Sequence, residues 1–519
     1  MPLPDVPPQP PLAYAVPVAV LLSTERVTVA PSTRMGMTGL HYLRPVTPQL
    51  YGGVSVFAAT QGDRGGFFGW GLSGGYRLRE GPWQAEAGLF VGGAGGSPGW
   101  VGGGLMLRPH ASVSGQWGRL TAGLGVSQVW FPNGQVRSTQ PYATLGWTDD
   151  VLFGPAGGGE SFRAADGAAN RATTGATRDA ATAARWSSDW AATHALPTET
   201  AAAVGRYSLT TSARRDGSGS APPLQYGGLV LRRALPLQLG VAQPYWMLGV
   251  AGGLTAAYAG YAELLGGVGL QAGLPWGLPL SGRVEAALGS GGAGTALDTG
   301  GGLLRKLSAG LTWQVLPQLG LTASVGRVSS SGPFKAQEAR LELAWRGWDI
   351  VPGEASGLLP APGTVAWAPW SFSAGEAWYA RMRRDDRSGG ELPSLGLAAL
   401  KLERELGPHW RVLGQAGIAT HGGAGGYATG QLGLGWLTAR RADTGWRLGA
   451  EASVGAAGGG AVQVGGGLIG QAQLQARYSL TPQWSVQADA GWLRSRHGAL
   501  SSPLLGLSAV VSFSRLQGS

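Results

Sequence analysis

A chain of 519 residues with 13% charged side chains, 92 glycines and no cysteine has about half the charge usual for soluble domains and a large surplus of glycine. The missing cysteine excludes disulfides, thiolate metal sites and cysteine nucleophiles, and a mean hydropathy of +0.03 without an apolar run of about 18 residues excludes a helical membrane protein. The net charge of +10 is carried almost wholly by arginine, since lysine occurs only as Lys306, Lys335 and Lys401; it is dispersed, with no basic helix or dense run, which argues against a nucleic-acid partner.

In chain order, residues 1–21 read as a proline-rich segment. Leu12–Ser23 is apolar, but no Lys or Arg precedes it and Pro17 interrupts it, so it does not read as a signal peptide. Residues 22–148 form the first of three copies of a multi-strand unit. A small-residue loop at Gly92–Gly96 leads to Gly102-Gly103-Gly104-Leu105, a turn follows at Gly115-Gln116-Trp117, and the copy closes on Trp147. Residues 149–204 are the longest stretch without strand signals. Within them Ala168–Ala195 is rich in Ala and Thr, a composition that permits a weak helix, and the segment is expected to be either a lumen plug or a linker.

The second copy, 205–347, repeats the pattern with Gly300-Gly301-Gly302-Leu303, the turn Leu316-Pro317-Gln318-Leu319 and a closing Trp345. A linker at 348–373 follows. The third copy, 374–514, carries Gly465-Gly466-Gly467-Leu468, the turn Thr481-Pro482-Gln483-Trp484 and a closing Phe513, with a tail at 515–519.

Alternation is clearest in the third copy. One face of a strand shows Leu468, Ala472, Leu474 and Ala476, while Gln471, Gln473, Gln475 and Arg477 share the other. Neighbouring strands place Arg447, Glu451, Gln487 and Asp489 on the same polar side, the expected lumen. Period two over 10–14 residues, longer than the about 5–6 usual in sandwiches, fits strands between lipid and a polar interior. A dry sandwich core would not accept such polar rows.

Trp83, Trp117, Trp276, Trp410, Trp446 and Trp484 each begin a strand just after a short turn, and Trp492 lies near an opposite end. Indole favours the membrane interface, so these residues are expected to form aromatic girdles. Tight turns such as Val46–Gln49 and Leu406–His409 would face the periplasm, and looser loops such as His421–Gly426 the outside.

The final strand, with Leu505, Leu507, Ala509, Val511 and Phe513 on one face, resembles the closing strand of Gram-negative-type outer-membrane β-barrels, from which it departs in having six residues after Phe513. The Pro-Gln-Trp turns followed by Ala/Gly-rich strands are weakly similar to those of large exporter barrels such as the cellulose-synthase outer-membrane subunit. That resemblance implies fold and an outer-membrane location, and it transfers no functional residue.

The expected fold class is all-β: a transmembrane antiparallel barrel of about 24 strands from three repeats of about eight. The favoured arrangement is one wide barrel, because only two terminal strands must then meet; three tandem eight-stranded barrels are the alternative. The favoured function is a channel or export conduit for a polar solute or polymer. The alternatives are a structural or anchoring barrel and, less so, an enzyme acting on lipid or peptide. No catalytic, cofactor or metal constellation emerges, although His421 and His497 fall on expected outer loops. The expected partners are outer-membrane lipid and lipopolysaccharide, the latter through Arg214, Arg215, Arg383 and Arg384.

Overall fold

The computed structural model describes the chain except residues 1–13, 31–32, 97, 155–160, 163–192, 210–221, 259, 275–277, 294–296, 353–358, 361–364, 385–389, 393, 440–444, 497–499 and 519. The first eight strands are β1 (Tyr14–Ala30), β2 (Thr33–Pro45), β3 (Leu50–Gln61), β4 (Phe68–Glu80), β5 (Trp83–Gly95), β6 (Leu105–Trp117), β7 (Leu120–Trp130) and β8 (Arg137–Gly154). A two-residue β9 (Ser161–Phe162) follows. The second set is β10 (Thr193–Leu209), β11 (Leu224–Ala234), β12 (Ala242–Gly253), β13 (Ala262–Gly273), β14 (Leu280–Gly292), β15 (Leu303–Leu316), β16 (Leu319–Ser330) and β17 (Lys335–Pro352), and then a short β18 (Leu359–Pro360). The third is β19 (Val365–Tyr379), β20 (Leu395–Glu405), β21 (Trp410–His421), β22 (Ala428–Leu437), β23 (Gly445–Gly458), β24 (Leu468–Ser479), β25 (Trp484–Ser495) and β26 (Ser501–Gly518).

Each set closes on itself. β1 pairs with β8 from Tyr14↔Phe153 to Glu25↔Tyr142, β10 with β17 from Thr193↔Pro352 to Leu209↔Ala336, and β19 with β26 from Val365↔Gly518 to Tyr379↔Leu504. The single wide barrel is therefore corrected to three closed eight-stranded barrels. Economy of edges failed as a guide because the first and last strand of every set are long enough to satisfy one another.

The same long strands move the expected boundaries. The first barrel begins at Tyr14 and runs to Gly154, the second spans Thr193 to Pro352, and the third spans Val365 to Gly518. Residues 149–154 and 193–204, expected in a plug or linker, are strand, and the weak helix expected over 168–195 lies outside the described residues up to 192. A plug for a wide bore has no such bore to enter.

Proline marks the overhang. Pro17, Pro197 and Pro369 each pair with the last strand of their own barrel (opposite Asp150, Trp348 and Ser514). The second strand joins only just beyond them, at Ala19↔Leu43, Thr198↔Arg233 and Trp370↔Arg404. A residue without an N–H is tolerated there because the strand has a partner on one side alone.

The barrels form a ring. At the loop end β3 of the first barrel meets β14 and β15 of the second, β12 of the second meets β23 of the third, and β21 of the third meets β5 and β6 of the first. Each contact sets the third strand of one barrel against the fifth or sixth of the next, so the ring closes with pseudo-threefold symmetry inside one chain. Glycine permits the approach: Gly65 N donates to Gly300 O at 2.8 Å and Gly425 N to Gly102 O at 3.0 Å. The Gly-Gly-Gly runs supply left-handed backbone (Gly102 at φ +59° and Gly104 at +96°, Gly300 at +59° and Gly302 at +90°), and a Cβ at Gly103 would lie 2.7 Å from His421 Cα.

At the turn end the overhangs converge. Leu152, Ala195, Ile350, Trp367 and Leu516, drawn from all three barrels, pack into one apolar knot. Beside it Asp349 receives Arg233 Nε at 3.1 Å and Arg515 Nη2 at 2.8 Å.

Candidate functional site: three filled interiors

Strand alternation places every second side chain inside, and a barrel of eight strands leaves room only for those side chains. Near the loop end each interior is packed with large, mostly apolar side chains, and in the second barrel the tyrosines among them surround the buried Glu263. Met35, Phe57, Phe90 and Phe131 fill the first barrel, Tyr207, Tyr258, Leu304 and Phe334 the second, and Met382, Leu395, Tyr427 and Leu493 the third.

Below these caps the fillings become polar and differ between barrels. In the first, Arg108 Nε donates to Glu25 at 2.8 Å, and Ser127 and Gln140 also donate to that carboxylate. A relay runs beside it from Ser23 to His41 at 2.8 Å, His41 to Ser55 at 2.7 Å and Ser55 to Ser73 at 2.6 Å.

The second barrel holds a lattice of buried charge. Arg232 reaches Glu285 at 2.7 Å, Glu342 at 2.9 Å and Glu199 at 3.0 Å. Arg340 joins Glu285 at 2.7 Å and Glu342 at 2.9 Å, Arg283 joins Glu199 at 2.9 Å, and Lys306 meets Glu338 at 2.5 Å. Tyr207 and Tyr261 donate to Glu263 at 2.9 Å and 2.7 Å. A charge buried this deeply is tolerated only when paired and hydrogen-bonded, and these residues supply both.

In the third barrel Gln471, Gln473, Gln475, Arg477, Glu451 and Gln487 are buried inside. Arg477 donates to Glu403 at 2.5 Å and to Gln487 at 2.8 Å, while Glu451 collects Lys401 at 3.0 Å, Gln473 at 2.5 Å and Gln475 at 2.9 Å. Asp489 is half-buried and accepts from Gln487 at 2.8 Å. Arg447 lies at the turn-end mouth, 2.9 Å from the Thr438 carbonyl and 3.4 Å from Glu405.

The lattice of the second barrel was not singled out in the sequence. Its signal is nonetheless there: Glu338, Arg340 and Glu342 occupy successive inward positions of β17, as Arg283 and Glu285 do on β14. The first barrel offers less, because Glu25, Arg108 and Gln140 come from three separate strands.

The outer faces carry exposed Leu and Val at alternate positions, Leu124, Val325, Leu434 and Leu474 among them. Trp83, Trp117, Trp410, Trp446 and Trp484 are exposed at the turn end and Trp492 at the loop end; Trp276 lies outside the described residues. Arg214, Arg215 and His497 also lie outside them. Arg383 and Arg384 fold over the third barrel, bridged to Glu391 and Val462. His421 is on the outer rim, its Nδ1 3.1 Å from Glu376, and gathers no serine or metal-ligand cluster around it among the described residues.

No protein-family model matches the chain, and no curated protein matches it in sequence. Among solved structures it is similar to a mutant of the ferric enterobactin receptor of Pseudomonas aeruginosa, at 10% identity over 96% of this chain and 80% of that chain, with a TM-score of 0.28. The siderophore receptor PirA of the same organism gives 9% identity over 96% and 80%, with a TM-score of 0.27. Its OpdF protein, solved with glucuronate, gives 10% identity over 98% and 100%, with a TM-score of 0.20. At such TM-scores these overlaps carry no argument about function.

Proposed function

We propose that the protein is a structural component of an outer membrane, in which three filled barrels clamped into one ring occupy the bilayer and anchor the segments between them. The observation that carries the reading is the filling. Every barrel is packed at the loop end with large buried side chains and holds a buried polar network, so no bore runs through the described residues. Support for the membrane comes from the outer faces, where apolar side chains alternate around all three barrels and exposed tryptophans gather at the turn end.

The test is planar-bilayer recording of the refolded full chain. The expected result is silence, with the protein recovered in vesicles by flotation. Large steady steps in the untreated protein would overturn the structural reading.

A gated conduit through the second barrel is the other reading. It is favoured by a vestibule of about 590 Å³ at the turn-end mouth, lined by Glu199, Arg232, Tyr245, Gln271, Gln314 and Arg346. Passage would require the Arg232–Glu342 lattice to part. Current that appears only in a Glu342→Ala variant would support that route.

A further inference from the structure

We propose that the outward face of β15–β17 on the second barrel binds a phosphorylated lipid of the loop-side leaflet; the proposal rests on the membrane reading above. The register fixes the geometry. Arg305 and Lys335 flank Ser329 on either side, and Arg327 lies two residues before Ser329 on the same face. Diagonal neighbours on a sheet stand about 7–8 Å apart, a gap that one phosphate group bridges.

All three cations point outward near the loop end. Glu199, Glu263, Glu285, Glu338 and Glu342 are buried inside the barrel, on the opposite face of the sheet from Arg305 and Arg327. Neither Arg305 nor Arg327 meets a carboxylate among the described residues. A guanidinium is the donor best matched to phosphate oxygens, so the pair reads as an anion site.

Directly below lies apolar space. Two adjoining clefts of about 960 Å³ and 1050 Å³ run along this outer face. Their floor alternates small and large side chains, Ala286 and Ala309 between Val284, Leu307 and Val325. The first cleft reaches Arg305, Arg327 and Lys335, and the second contains Arg327. The two troughs follow one another down the same strands, so the apolar track continues from the cationic head site toward the turn end, as an acyl chain beneath a phosphorylated head group requires. A polar protein partner would leave the troughs unfilled. Arg26, Arg137 and Arg494 also face outward toward the loop end of the other barrels, so positive charge marks the same leaflet around the ring.

The experiment uses the full chain, floated with phosphatidylcholine vesicles containing or lacking diphosphoryl lipid A, followed by native mass spectrometry of the detergent-extracted protein. The expected result is a retained lipid A adduct that falls at least fivefold in the R305Q/R327Q double variant and is unchanged in R494Q. Equal retention by the double variant, or equal retention of dephosphorylated lipid A, would overturn the site while leaving the membrane reading intact. A wild-type chain that enters neither vesicle would overturn both. Dimers of the chain that vanish in the double variant, without any lipid adduct, would assign the face to a second copy and reject the lipid.

Discussion

The first and second barrels share a strand count, a closure and a loop end packed with large side chains, yet their middles are filled by opposite strategies. The first relies on two separate ion pairs, Arg108 with Glu25 and Arg77 with Glu86, set among hydroxyls, amides and two histidines. The second spreads its charge over a lattice in which Arg232 alone touches three carboxylates. The backbone is indifferent to which of these it encloses, because alternation and register fix where a side chain points and burial then demands only that each polar group find a partner. What differs is redundancy, and that can be measured.

The largest effect is expected where there is no redundancy. Glu25→Ala leaves Arg108, 2% exposed, without its carboxylate, and should cost the first barrel about 3–5 kcal/mol. Hydrogen exchange followed by mass spectrometry resolves the barrels, and peptides from β6 and β7 should lose protection while those from β15 and β16 do not. Adding Arg108→Met to Glu25→Ala should return most of the loss, since an apolar replacement removes the orphaned charge. Uniform deprotection of all three barrels would instead mean that they unfold as one unit.

The corresponding change in the second barrel should cost less. Glu342→Ala removes a partner from Arg232, Arg283 and Arg340 together, but Arg232 and Arg340 keep Glu285 and Arg283 keeps Glu199. We expect a loss of about 1–3 kcal/mol, read from urea unfolding in detergent by the same exchange method. A loss larger than that of Glu25→Ala would show that the lattice is cooperative and not redundant.

These contrasts also show what the chain reveals before folding. Strands, faces and tight turns were legible because period two and the Gly-Gly-Gly-Leu starts are local signals. The polar row from Gln471 to Arg477 was legible for the same reason. Closure was not, because whether β8 returns to β1 or passes to β10 depends on pairing between segments more than a hundred residues apart. Pro17 was read as an interruption, since nothing local says that its strand has a single partner there. The ring of barrels was hidden more deeply: its closest contacts are backbone at Gly65, Gly102, Gly300 and Gly425, helped by Ser290 donating to the Ala59 carbonyl, and a backbone contact leaves no side-chain pattern to read.

That ring gives a way to separate folding of a barrel from assembly of the three. Gly425→Val would drive a Cβ to 2.6 Å from the Gly102 carbonyl and from Val101. Overpacking of this kind costs about 1–3 kcal/mol, but here the strain can be relieved by parting the first barrel from the third. Limited proteolysis at the loop end should accelerate while exchange within β21 and β6 stays slow. Loss of protection inside those strands would mean that the barrels depend on the ring to fold.

The smallest expected effect tests the relay of the first barrel. Ser55→Ala removes the hydroxyl joining His41 to Ser73, leaving both with fewer partners and no charge exposed. A neutral hydrogen bond contributes about 1 kcal/mol, so the loss should be about a quarter of that for Glu25→Ala. Exchange at β3 and β4 amides is the measurement. If Ser55→Ala equals Glu25→Ala, the hydroxyl relay and the ion pair form one cooperative core, and the distinction between a sparse and a dense filling no longer holds.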